Sequence, residues 1–271
     1  MQKQHKILNN SIRMVLVSGL FILGTFILQL ILEESMKRMG IQSKYICDGI
    51  SRILVVVIVL ISFVKMNKNI VIGFQNQGIK LGLLLGWPIY IAMLINIYDV
   101  ASMAHIDKVP TLLEWILYIV YVFSIGLYEE VVLRGIVLNK MLEKWGDSKK
   151  GIVGAVLLSS LLFGLLHLVN LIGKPWLIVA TGTQVVYALF IGVFFAAIYL
   201  RTKNLWTVIV LHMFLDLGGC LDELFLEKVT AKTVPDISLG DSVSILAEWV
   251  IFLLLGLLYL RKVKGKIKKI K

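Results

Sequence analysis

Two glutamates stand side by side at the end of an apolar run, Leu127-Tyr128-Glu129-Glu130-Val131-Val132-Leu133-Arg134. Two further clusters follow, Phe163-Gly164-Leu165-Leu166-His167 and His212-Met213-Phe214-Leu215-Asp216. Nearly everything around them is hydrophobic. Ionisable residues in or beside membrane segments are costly and mark function by default. On three separate predicted helices, these clusters supply a general base, two imidazoles and a second carboxylate to one site. Those are the parts needed to activate a water and stabilise the oxyanion of a hydrolysed bond.

Helical spacing sorts the partners. At about 3.6 residues per turn, Glu130 and Arg134 share a face, so Arg134 is expected to neutralise Glu130. Glu129 is five residues from Arg134 and points elsewhere, free to take a proton from water. Phe163 precedes His167 by one turn, so its ring can pack over the imidazole and restrict it. His212 and Asp216 are also one turn apart, and a carboxylate beside an imidazole fixes its tautomer. Each cluster taken singly has a plainer reading. Glu-Glu-Arg can be a solvated helix end, and His167 can be a packed interfacial residue.

The elements that must position these residues are membrane helices. The chain has 271 residues, is 58% hydrophobic and only 17% charged, which fits a polytopic all-α bundle. Windows of about 20 residues give eight spans, near 12–32, 50–64, 79–97, 111–130, 151–170, 177–200, 205–221 and 243–260. The first is too long for a signal-peptide core and lacks a small-residue cleavage site, so it reads as a retained helix. The organisation expected is N-terminal helices over 1–110, a catalytic core over 111–221, and a last helix with a basic tail over 222–271.

The net charge of +11 does not point to nucleic acid, because it lies in short loops and the tail. With eight spans, 20 of the 28 Lys and Arg fall on the side that holds both termini. That asymmetry predicts an integral cell-membrane protein with cytoplasmic N- and C-termini. The tail can also meet anionic lipid headgroups of the bilayer. Cys47 and Cys220 are far apart, which argues against a disulfide scaffold or a thiolate metal site.

Smaller signals concern packing. Gly82 and Gly86 allow close helix contact, and Trp87-Pro88 predicts a kink. Thr181, Thr183 and Gln184, with the small-xxx-small stretch Gly192 to Ala196, read as helix–helix packing and hydrogen bonding. Arg13, Glu114 and Glu248 lie near span ends, where a charge can reach the interface.

Taken in order, Glu129-Glu130-xxx-Arg134, Phe163-xxx-His167 and His212-xxx-Asp216 resemble the three motifs of the CAAX protease and bacteriocin-processing (CPBP, or Abi) family of intramembrane proteases. That family includes the type II CAAX prenyl endopeptidases. The motif-bearing resemblance covers about 125 to 220, on the fourth, fifth and seventh of the eight expected helices. It implies that Glu129 and His167 activate the attacking water. It implies also that His212, aided by Asp216, stabilises the oxyanion, with Glu130 and Arg134 holding the geometry. The last motif position is often Asn in the eukaryotic prenyl endopeptidases. An Asn amide donates a hydrogen bond and an ionised Asp does not, so Asp216 more naturally orients His212 or binds metal.

The family is commonly described as metalloproteases. His167, His212 and Glu129 are the candidate ligands of an open zinc site. There is no HExxH. A metal-free mechanism with Glu129 as base and imidazoles as electrostatic stabilisers fits equally well. The expected function is an intramembrane endopeptidase acting on a peptide or membrane-tethered protein: CAAX-type processing, bacteriocin or leader processing, or self-immunity. The competing reading is a catalytically silent immunity or scaffold protein that binds a bacteriocin or a membrane partner. A transporter would show an internal repeat with paired broken helices, and none is visible. One geometric problem follows from straight helices. Glu129 would lie roughly 27 Å along its span and His167 roughly 24 Å along the next, at opposite depths. They meet if the fourth helix shifts so that Leu133, Ile136, Val137 and Leu138 enter the bilayer.

Overall fold

The computed structural model describes residues 2–65, 77–103, 106–226 and 236–263. Among these there is no strand. The helices in chain order are α1 (Gln2–Arg38), α2 (Lys44–Lys65), α3 (Ile79–Leu85), α4 (Trp87–Ala101), α5 (Leu112–Glu130), α6 (Asn139–Trp145), α7 (Lys149–Leu166), α8 (Asn170–Gly173), α9 (Ile178–Thr202), α10 (Leu205–Gly219), α11 (Asp222–Phe225) and α12 (Leu239–Arg261). The chain is an all-α polytopic bundle. The stretch 264–271, which holds most of the basic tail, lies outside the described residues, as do Lys68 and the middle of the connector 222–242.

The described residues contain 6 helices long and apolar enough to cross a membrane, or 7 if α3 and α4 are one span bent by 53°. The bend falls at Gly86, just before Trp87-Pro88, where the missing proline N–H breaks the helical ladder. α10 has 15 residues and is shorter than a bilayer crossing, about 22 Å at 1.5 Å per residue. The eight expected spans thus correspond to six or seven full spans and one shorter buried helix.

Polar residues fix where the helices start. Thr111 and Glu114 form a reciprocal capping box at α5, and Ser238 and Asp241 form one at α12. Ser148 caps α7 and Asn204 caps α10. Only Lys203 and Asn204 separate α9 from α10, and Lys203 turns the chain with φ 54°.

α9 is the centre of the bundle, and Val193 through Tyr199 have no solvent exposure. Its neighbours approach through small residues. A Cβ on Gly192 would lie 2.8 Å from Ser160 Cβ of α7, and one on Gly256 of α12 would lie 3.0 Å from Phe194 Cα. A Cβ on Gly164 of α7 would overlap the Val185 carbonyl oxygen of α9. Close backbone approach of this kind is how helices associate where lipid offers no hydrophobic drive. Thr183 Oγ1 adds hydrogen bonds to the Val179 carbonyl, 2.7 Å, and to Ser242 Oγ of α12, 2.6 Å.

The feature that positions the site is α5. It continues without a break through a π-helical stretch, Val131–Leu138, into α6, so that Leu112–Trp145 is one apolar span of 34 residues. At 1.5 Å per residue that is about 50 Å, longer than a hydrocarbon core. All eight residues of the π-helical stretch are buried, and Leu133, Ile136, Val137 and Leu138 are each 4% exposed or less. Glu129 therefore lies in the middle of its helix. The four residues that a shifted fourth helix would carry into the bilayer are part of this continuous span.

The α7–α9 contact makes a paired prediction. Gly164→Ala must displace a backbone oxygen and should cost about 1–3 kcal/mol of stability. Gly154→Ala on the same helix meets nothing within 4 Å and should be neutral or stabilising. Apparent melting temperatures of the two variants in one detergent test this; equal shifts would refute the contact.

Candidate active site

The candidate residues come from the middle of the long helix, the end of α7 and the body of α10. Gly126 is one turn before Glu130, and a Cβ there would lie 2.9 Å from the Ile209 carbonyl oxygen and 3.2 Å from His212 Cβ. The missing side chain lets α10 press its backbone against α5 where His212 stands. At the other wall, α7 tightens after Leu166 into a short 3₁₀ turn, His167–Val169.

Glu130 is fully buried. Its Oε1 accepts a hydrogen bond from Arg134 Nη1 at 2.8 Å and one from His212 Nδ1 at 2.8 Å. Arg134 is 1% exposed, and its Nη2 donates to the Gly192 carbonyl of α9 at 3.2 Å. The guanidinium also lies over the rings of Phe163, 5.0 Å, and Phe195, 5.8 Å. The His212 ring is tilted on Phe195 at 5.2 Å and edge-on to Phe163 at 6.2 Å.

Because Glu130 can only accept, His212 Nδ1 carries the proton and Nε2 faces the remaining carboxylates. Glu129 Oε2 and Asp216 Oδ2 are each 3.6 Å from Nε2, beyond a direct hydrogen bond but close enough to act on its charge. Asp216 Oδ2 is buried without a hydrogen-bond partner among the described residues. The Glu129 side chain is 23% exposed. His167 Nδ1 donates to the Phe163 carbonyl at 3.2 Å, which leaves Nε2 as the nitrogen free for chemistry. Its ring stands edge-on to Phe163 at 5.3 Å, so one phenyl group touches both imidazoles and the guanidinium.

The helical spacing argument holds for the glutamate pair. Arg134 binds Glu130, and Glu129 points away from it, toward His212. The expectation that Asp216 fixes the His212 tautomer is corrected. The hydrogen bond is made by Glu130 at 2.8 Å, whereas Asp216, one turn along the same helix, stays at 3.6 Å. A fixed ring on one helix is reached more directly by a carboxylate facing it from the neighbouring helix. Sequence reasoning also missed Phe195 and Gly126 as walls of the site. The glycine one turn before Glu130 was the available signal for the second.

The residues do not form a ready metal centre. Among the described residues, no three His, Cys, Asp or Glu side chains stand together so as to hold an ion. His212 Nδ1 is committed to Glu130 and His167 Nδ1 to a backbone carbonyl. Both imidazoles keep Nε2 for a ligand, and the candidate residues His167, His212 and Glu129 are not gathered into a metal-binding group in this structure.

Residues 111–218 match the family described as Type II CAAX prenyl endopeptidase Rce1-like. The matched segment carries all three motifs. No curated protein and no solved structure matches the chain.

The buried network yields a stability prediction. Glu130→Gln leaves Arg134 uncompensated in an apolar interior, and Arg134→Met leaves Glu130 so. Each should cost about 3–5 kcal/mol, because breaking a buried pair strands a charge. Thermal unfolding and the fraction eluting as a single species in detergent measure this. The double variant Glu130→Gln/Arg134→Met should be less unstable than the sum of the two; strict additivity would mean that the pair is not coupled.

Proposed function

We propose that this chain, whose segment 111–218 matches the type II CAAX prenyl endopeptidase family, is an intramembrane endopeptidase of the CAAX type. One observation carries the reading. A buried carboxylate, Glu130, holds His212 by Nδ1 so that Nε2 faces a second, partly exposed carboxylate, Glu129, in the middle of a membrane-spanning helix. Structural ion pairs need only the first of those contacts.

In this mechanism Glu129 takes a proton from a water, and the water oxygen attacks the scissile carbonyl carbon. The carbonyl oxygen becomes an oxyanion and receives a hydrogen bond from His212 Nε2–H of the imidazolium. Asp216 balances the charge of that imidazolium, and Glu130 and Arg134 fix its orientation. His167 Nε2 holds the attacking water. The tetrahedral intermediate collapses with cleavage of the C–N bond, and the proton on Glu129 passes to the leaving amine. The products are a carboxylic acid and a free amine; the acid then gives its remaining water proton to the amine or to solvent, leaving a carboxylate.

No step is routed through zinc. The chelator test is direct: after dialysis against a strong zinc chelator, turnover should persist, and added zinc should not raise it. Loss on dialysis and recovery with zinc would replace this mechanism by a metal one.

The 20 of 28 Lys and Arg on one side support cytoplasmic termini. Arg134 belongs to the buried site and not to a loop, and without it the split is still 19 to 8. Bacteriocin or leader processing and self-immunity are alternative uses of the same chemistry. A comparison of peptide termini in cells carrying wild-type or Glu129→Gln protein separates them by the sequence cleaved.

Glu129→Gln should lower turnover of a cleaved peptide by at least about 1,000-fold while the protein stays folded, because the amide keeps the shape and cannot take the proton. Turnover at the wild-type rate in Glu129→Gln would remove Glu129 as base. A wild-type protein that binds peptide and never cleaves it would instead favour the silent scaffold.

A further inference from the structure

α10 carries His212 and Asp216, so its place along α5 decides whether those side chains meet Glu129 and Glu130. Gly126 brings the two helices close, but a glycine contact is steric and does not by itself stop one helix sliding along the other. A directional bond comes from Tyr118 of α5, which lies outside the three motifs. Tyr118 has no solvent exposure. Its ring stands edge-on to Tyr45 of α2 at 5.9 Å and to Trp115 at 6.3 Å. Held there, its hydroxyl donates to the Leu217 carbonyl of α10 at 2.8 Å and approaches the Asp216 carbonyl at 3.3 Å.

The last carbonyls of a helix lack partners within it, and in a membrane bundle an unmet carbonyl is costly. In α10 the Asp216 carbonyl takes the Cys220 N–H at 2.9 Å. By the same four-residue rule the Leu217 carbonyl would take the Leu221 N–H, but that group bonds the Gly218 carbonyl at 3.2 Å as the helix ends. The Tyr118 hydroxyl supplies the donor instead. The same helix end is packed on α4, where a Cβ on Gly218 would lie 3.0 Å from Met93 Cα. Packing limits sideways motion there, and the hydrogen bond limits motion along the axis. Tyr118 also precedes Glu129 by about three turns, or about 17 Å, so the two share a face of one continuous span. One helix thus carries both the donor that holds the backbone at Asp216 and the carboxylate that faces His212.

We propose that Tyr118 is a positioning residue for the reaction: its hydroxyl sets how far α10 lies along α5, and so places His212 and Asp216 opposite Glu129. The proposal rests on the endopeptidase reading and adds to it a residue that none of the three motifs contains. Tyr118 acts through the backbone of α10 and takes no part in bond breaking.

The test compares two full-length variants. Tyr118→Phe keeps the ring and removes the hydroxyl. Tyr45→Phe is the matched control, because Tyr45 also donates between helices, to the Glu223 carbonyl of α11 at 3.3 Å, beyond the end of α10. kcat and KM are read on a peptide that the wild type cleaves. The His212 imidazole is followed separately by NMR of histidine-labelled protein in detergent, its signals assigned by their loss in His212→Gln. Tyr118→Phe should lower kcat about 10–100-fold, since a misplacement of about 1 Å is enough for that, and leave KM within about 2-fold. It should also shift the His212 signals. Tyr45→Phe should do neither. Unmoved His212 signals in Tyr118→Phe, or a loss confined to KM, overturns the positioning role. An equal loss of kcat in Tyr45→Phe overturns it too, because that is general loosening of the bundle. A Tyr118→Phe protein that does not elute as a single species makes the hydroxyl a folding requirement, and the positioning role falls with it. If the His212 signals move in Tyr118→Phe alone and the wild type never cleaves a peptide, the endopeptidase reading falls and the register set by Tyr118 stands.

Discussion

A single carboxylate oxygen ties the candidate site together. Glu130 Oε1 accepts from Arg134 and from His212 at once, both at 2.8 Å, with no water-exposed surface on the glutamate. Taking an anion into an apolar interior costs several kcal/mol, and it is tolerated where cationic donors meet it in good geometry. That requirement joins three parts of the bundle. The long helix supplies Glu130 and Arg134, α10 supplies His212, and α9 supplies the Gly192 carbonyl that takes the other guanidinium nitrogen. The small residues that draw these helices close are conditions for those bonds. Gly126 lets α10 approach α5 at His212, and Gly192 has no side chain to stand between α9 and α7.

Two adjacent glutamates can do different work because of helical geometry alone. Neighbouring residues on an α-helix point about 100° apart. If Glu130 faces the core, Glu129 must face the edge of the site, where its side chain is partly exposed and lies 3.6 Å from the far nitrogen of the same imidazole. One carboxylate uses a single oxygen to hold the ring and the guanidinium; its neighbour keeps capacity to accept a proton. The π-helical stretch begins at the next residue. Its i→i+5 hydrogen bonds give a wider turn, a common mark of functional positions inside helices.

α9 shows how one polar face can serve two purposes. Thr183 spends its hydroxyl on the bond to Ser242 and so fastens α12. Gln184, the next residue, turns to a cavity beside His167 and meets Asn170 there. The packing explanation is complete for the threonine. For the glutamine, the bond to Asn170 ties α9 to the turn that follows His167.

Much of this molecule was legible in its sequence. The apolar runs gave the bundle, since nothing else explains so many uninterrupted hydrophobic segments. The Trp87-Pro88 step marked the bend, because proline cannot continue the ladder. The four-residue spacing of Glu130 and Arg134 gave their pairing, because that contact lies within one helix and obeys its period. The types and order of Glu129, His167, His212 and Asp216 pointed to hydrolysis before any contact was known. Tertiary structure decided what joins different helices. Periodicity made Asp216 the partner of His212, but Glu130 holds that ring from 82 residues away in the chain. Hydropathy windows ended the fourth span at Glu130, because a run of charges looks like a boundary, yet the helix continues through buried Arg134 to Trp145. A sequence pattern records what a residue prefers along its own helix. Whether a charge marks an end or a centre depends on whether another helix brings it a partner, and that is settled only when the helices pack.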